Sequence, residues 1–293
     1  MHTLILSITF SVAVSVFLKL ARSGGIRVEQ AIFVNYATAV LLCLWLLRPP
    51  LDTLFMQAPA AWLILGLLGV LLPGVFLIMA AAVRQAGIVR SDTAQRLSLI
   101  VPILAAFLVF HEAMSGRKTV GIVLALCALV CLLKRPREAA DATGTSPAPA
   151  LSGRTGRGGW VLLGVWAGYG TIDILFKQMA RSGAGFTSTL LLSFALAGVL
   201  MGLWLLYRRT AWHARSLAAG ILLGGLNFGN IYCYIRAHQT FPDNPTLVFA
   251  AMNIGVVSIG TLVGAGVFRE RLSALNGLGI ALALGAIVLL FPR

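Results

Sequence analysis

Charge is scarce in this chain: of 293 residues only 11% are Asp, Glu, Lys or Arg, and just 9 are acidic. Soluble domains carry about a quarter charged residues, so a largely water-exposed surface is excluded. Histidine is scarcer still. His2, His111, His213 and His238 are dispersed along the chain and read as lying in different loops. An integral membrane enzyme acting on lipid substrates needs His, Asp or Glu gathered at one membrane face for metal or acid–base work, and no such gathering is visible. The phosphate-cradling G-x-x-x-x-G-K-[ST] pattern is missing, which argues against ATP-driven transport. The four cysteines, Cys43, Cys127, Cys131 and Cys233, all fall inside apolar stretches, so neither a disulfide framework nor a zinc motif is present. Cys127 and Cys131 share a helical face at i, i+4, and read as small apolar packing rather than a soft-metal site. No metal and no cofactor is therefore expected. The first apolar segment starts at Thr3 with no basic residue ahead of it and no small-residue cleavage site before Arg22. It reads as a retained helix, not a signal peptide.

What the chain has in abundance is apolar length. Hydrophobic residues make up 59% of it and the mean hydropathy is +0.92, the composition of an all-α integral membrane protein. Windows of about 20 residues predict ten transmembrane helices at 3–21, 30–47, 60–82, 93–110, 118–134, 159–179, 185–207, 216–236, 246–267 and 273–291. The connections are short. One stretch breaks the pattern: residues 135–158, rich in Pro, Ala, Gly, Ser and Thr, read as a flexible linker between residues 1–134 and 159–293. The net charge of +14 would suggest nucleic acid in a soluble protein, but here Lys and Arg sit in loops and at helix ends. Their expected partners are anionic lipid headgroups, not nucleic acid. Trp212, in "YRRTAWHARS", is expected at the membrane interface.

The two sides of the linker repeat each other. "VFHEAMSGRKTVGIVLALCALVCL" from Val109 and "VFRERLSALNGLGIALALGAIVLL" from Val267 are identical at 12 of 24 positions. Apolar residues match by accident, so the weight falls on the shared Glu112/Glu270, Ser115/Ser273 and Gly121/Gly279. "ARSG" at Ala21 recurs at Ala180. Repeats of this length decide architecture before other features do. Each copy holds five spans, and because five is odd the second copy enters the membrane in the opposite direction. Two inverted five-helix repeats can exchange conformations, opening a cavity first to one side and then to the other.

The five-plus-five layout, the "FHE" and "FRE" junctions after the fourth and ninth spans, and "RLSLIVPILAAFLVF" in the fourth span together resemble the EamA-type branch of the drug/metabolite transporter superfamily, over essentially the whole chain. The resemblance implies a multi-pass protein of a bacterial inner membrane that moves amino acids or other small metabolites or drugs, often outward. The smallest relatives exchange cations for protons through a glutamate in their first helix. This chain has no acidic residue between Met1 and Ile26, so that mechanism is not carried over.

Polar groups deep in hydrocarbon are functional candidates because they cost free energy unless paired or facing a cavity. Asp173 leads them, past the middle of the sixth span, with Lys177 four residues on. It can bind an amine or a proton, with Lys177 modulating its charge; the structural alternative is an Asp173 to Lys177 pair with the lysine snorkelling to the headgroups. Asn227, Asn230 and Tyr234 form a stripe on the eighth span, either lining the pathway or bonding neighbouring helices. Asn35 and Tyr36 on the second span and Asn253 on the ninth join the candidate substrate-binding set, and Arg96 is a candidate anchor for a substrate carboxylate. Glu112 and Glu270 read as architectural, capping the N–H groups of the helix that follows each. Pro73 and Pro102 are expected to kink their helices.

The expectation is a secondary carrier of a small solute working by alternating access, with Asp173 binding either an amine or a coupling proton. A lipid-carrier flippase, a membrane scaffold subunit and, further off, an integral membrane enzyme are the competitors. Monomer and homodimer both remain open. Of the 23 Lys and Arg, 16 lie near the loops after the odd-numbered spans. Basic loops stay cytoplasmic, so the charge pattern puts both termini outside and the linker inside, although many members of the superfamily are thought to keep their termini in.

Overall fold

The computed structural model describes residues 1–23, 25–50, 54, 57–133, 155–268 and 272–291. Glu270 and most of the 135–158 linker lie outside the described residues. Eleven α-helices and no strand occur among those described: α1 His2–Ser23, α2 Val28–Leu42, α3 Pro59–Ala86, α4 Ile88–Leu97, α5 Ile100–Leu108, α6 Gly116–Leu133, α7 Thr155–Ala180, α8 Phe186–Tyr207, α9 Ala214–Thr240, α10 Pro245–Phe268 and α11 Ala274–Leu290. A π turn, Cys43–Leu47, extends α2. Eight helices (α1, α2 with its π turn, α3 and α6 to α10) are long and apolar enough to cross a membrane, and the chain is a multi-pass membrane protein.

Two of the ten predicted spans differ. The 93–110 span is two short helices, α4 and α5, separated at Ser98 and Leu99. Pro102 explains the break, because it has no N–H for the Ser98 carbonyl and its ring collides with that turn. Ser98 stays local instead, its hydroxyl donating to Gln95 O at 2.6 Å. The last span is α11, only 17 residues, about 26 Å long at 1.5 Å per residue. Pro73 lies within α3, which remains helical from Pro59 to Ala86.

The chain forms two compact units, Met1–Leu77 with Thr171–Pro242, and Ile78–Gly170 with Asp243–Arg293. Each draws on both sides of the linker, and the divisions fall inside α3 and α7.

In the first unit α2 is held between α8 and α9, and α9 also packs on α1. Small residues set these distances, as in membrane bundles generally. A methyl group added at Gly220 would stand 2.6 Å from Val34 Cβ and 2.7 Å from Ala31 O, and one at Gly224 would stand 2.6 Å from Thr38 Cβ. On the other side of α2, Gly198 and Gly202 of α8 face Tyr36 and Phe33. The turn before α9 is tied to the start of α2: Arg27 Nη1 and Gln30 Nε2 both donate to Ala211 O, at 2.8 and 2.7 Å, and His213 N donates to Gln30 Oε1.

In the second unit α6 and α11 pack along their length. Gly121 lies against Leu290 and Leu289, while Gly279 lies against Leu132 and Cys131. The start of each helix therefore meets the end of the other, so the two run antiparallel. Both contacts involve the same repeat positions, because adding 158 to Gly121, Cys131 and Leu132 gives Gly279, Leu289 and Leu290. The shared serines also do the same thing: Ser115 Oγ accepts from Lys118 N at 3.3 Å and Ser273 Oγ from Asn276 N at 3.2 Å, an N-cap on each helix.

Glu112 behaves differently from its sequence neighbourhood. Its Oε2 accepts from Thr246 N at 3.0 Å and from Thr246 Oγ1 at 2.6 Å. The carboxylate thus caps α10, not the following α6, whose cap is already supplied by Ser115. Lys118 Nζ lies 2.8 Å from Glu112 Oε1, so a buried charge at a helix N-terminus has both a dipole and a counter-ion.

Candidate functional site

The densest set of predicted site residues lies in the first unit, where α7 faces α9. Asp173 and Lys177 follow each other at i, i+4 on α7, and Tyr234 and His238 do so on α9. The Tyr234 hydroxyl donates to Asp173 Oδ1 at 3.1 Å. Its ring meets Phe176 edge-on at 6.2 Å between centroids, and meets His238 at 4.8 Å. Lys177 is fully buried and its Nζ donates to Pro242 O at 2.7 Å, beyond the end of α9. The lysine thus has a backbone acceptor within the unit, where the structural alternative read from sequence has it snorkelling to headgroups. Gln239 Nε2 joins the same helix ends, donating to Gly183 O at 3.0 Å. Asp173 keeps partial exposure and is positioned by the phenol.

The polar stripe on α9 divides. Asn230 Oδ1 and its carbonyl both accept from Ser7 Oγ of α1, at 2.9 and 3.0 Å, which makes Asn230 a bond between helices. Asn227 is partly exposed and has no hydrogen bond among the described residues. Asn35 is buried at the α2–α9 contact with neither amide atom bonded to a described group. Tyr36 is fully buried with its ring 6.4 Å from Phe194.

The remaining candidates belong to the second unit. Arg96 Nε stands 3.6 Å from Asp92 Oδ1, so the guanidinium proposed for a substrate carboxylate already has one on its own helix. Asn253 Nδ2 donates to Phe249 O one turn back. Among the described residues no three His, Cys, Asp or Glu side chains converge as metal ligands.

Sequence reading missed three groups here. His238 is not in a loop but inside α9 and almost fully buried. Thr246 holds Glu112 from 134 residues away. Trp166 of α7 donates its indole N–H to Leu97 O at 3.1 Å, meeting a carbonyl at the α4–α5 break. Only His238 had a local signal, its i+4 spacing from Tyr234.

No known family profile matches the chain. It is 51% identical over 296 residues to an uncharacterized protein of Haemophilus influenzae, covering 99% of this chain and 98% of that protein, and it belongs to that protein's family. A protein of solved crystal structure matches it with a TM-score of 0.69 at 13% identity, over 98% of this chain and 96% of the other. At that identity the likeness concerns the fold alone.

Proposed function

We propose that the chain is a secondary transporter of the drug/metabolite superfamily, EamA type, moving a small amino acid-like or related solute across a bacterial inner membrane by alternating access. In this reading α4 and α5 together make one crossing and α11 another, giving ten crossings in two inverted five-helix repeats. The observation that carries it is the reciprocal packing of α6 and α11. Gly121 on Leu290 and Gly279 on Leu132 are one contact made twice, as a two-fold axis in the membrane plane requires. Asp173, set in a 23-residue apolar crossing and held by Tyr234, is the residue proposed to bind the solute's amine or the coupling proton.

The test compares metabolite pools inside and outside cells with and without the protein, then transport of the enriched solute by the purified chain in liposomes. One small solute should accumulate outside only when the protein is present, and liposomes should move it. Identical pools together with inert liposomes would reject the transporter in favour of a scaffold or enzyme.

A further inference from the structure

The end of α8 carries an open surface depression lined by Leu206, Tyr207, Arg208, Arg209 and Thr210. From these residues we infer a binding site for the headgroup of an anionic phospholipid, independent of the transport reading. Three features of the first unit support it. The 22 residues of α8 rise about 33 Å, slightly more than the roughly 30 Å hydrocarbon core. A helix that crosses therefore places Arg208 and Arg209 at headgroup depth.

Below the arginines, Val199, Leu203 and Leu206 are each about 60% exposed and lie on one stripe at i, i+4, i+7. This stripe offers an apolar track for an acyl chain directly under the depression. Tyr207, Trp204 and Trp212 are exposed around it, the aromatic collar expected where headgroups begin.

The charge is also held ready. Neither arginine forms an ion pair among the described residues. Arg208 sits 5.7 Å above the Trp204 ring, which orders it without neutralising it. Arg209 has a left-handed backbone, φ 47°, unusual for a residue with a side chain. The turn beyond it is pinned to α2 through Ala211 O and Gln30, and Trp212 packs 5.9 Å from Phe33. A phosphodiester can accept from two guanidinium groups while its chains follow the apolar stripe. A free phosphate would use only the upper half of the site.

The experiment is native mass spectrometry of the full chain released from micelles containing equal phosphatidylglycerol and phosphatidylcholine. The chain should retain phosphatidylglycerol selectively. Arg208→Gln with Arg209→Gln should weaken retention roughly thirtyfold, as loss of two basic groups at an anionic surface implies. Arg208→Lys with Arg209→Lys should keep most of it, and Arg236→Gln, at the other end of α9, should change nothing. Equal retention of the two lipids, or equal loss in Arg236→Gln, would overturn the site. Displacement of the lipid by millimolar inorganic phosphate would overturn the assignment to a lipid. Transport plays no part in these readouts, so a failed carrier assignment would leave them standing.

Discussion

Replacing Gly224 by alanine tests the packing that holds the first unit together. The added methyl would lie 2.6 Å from Thr38 Cβ and 2.9 Å from Asn35 O. Carbon atoms rest about 3.5–4.0 Å apart, so α2 and α9 must separate by about 1 Å along the seam. One of the two obstacles is backbone and cannot rotate away. Overpacking of this kind costs about 1–3 kcal/mol, partly offset by the roughly 1 kcal/mol gained when alanine replaces glycine in a helix. The net loss relative to wild type is about 0–2 kcal/mol. The neighbouring Gly225 supplies the control, since a methyl there meets nothing within 4 Å and the propensity gain stands alone. The two variants therefore differ by the full overpacking cost of about 1–3 kcal/mol. Thermal unfolding of the purified protein in detergent should place Gly224→Ala up to about 8 °C below the wild type and about 2–12 °C below Gly225→Ala, taking about 2–4 °C per kcal/mol. Gly225→Ala should melt at or above the wild type. If the two variants melt together, the close approach of α2 to α9 is not what stabilises this unit.

Asp173→Asn should abolish or alter the pH dependence of transport while leaving the folded yield unchanged; transport equal to wild type at every pH would remove Asp173 from the mechanism. Glu112→Ala leaves Lys118 and the first N–H groups of α10 unmatched and should cost about 2–4 kcal/mol in detergent unfolding. Glu112→Gln keeps an acceptor for Thr246 and should cost less, and equal losses in the two would show that the helix cap contributes nothing. Asn227→Cys and Asn253→Cys, in a chain lacking the four native cysteines, should react with water-soluble thiol reagents, and labelling only from the lipid phase would contradict their place in a pathway. A reporter fused at Arg293 should be active only on the outer side of the membrane, and cytoplasmic activity there would reverse the orientation that the basic loops imply.

Most of the membrane architecture is legible in the sequence because hydrocarbon imposes one simple rule: a crossing helix needs about 20 apolar residues. The repeat is legible for a related reason. Ser115 and Ser273 each cap the helix they precede, and Gly121 and Gly279 each admit a leucine of the other helix, so the matching letters mark matching contacts. Reading fails where a residue's partner is distant in the chain. A proline in an apolar run such as 93–110 can bend a helix or end it. Here the helix ends, with an exposed carbonyl met by Trp166 from 69 residues away. The predicted eighth span, 216–236, stops short for a similar reason: Arg236, His238 and Gln239 look like loop, yet α9 runs on to Thr240. It does so because Gln239 bonds Gly183 O, and His238 is buried beside Tyr234. The same distance hid the nature of the Asp173 cluster. From sequence, Asp173 and Lys177 can only be judged against each other, four residues apart on one helix. In the fold each has a partner from α9 or the turn after it, Tyr234 for the acid and the Pro242 carbonyl for the lysine. Asp173 is joined to a phenol on the facing helix, and movement of α9 against α7 would change its environment directly.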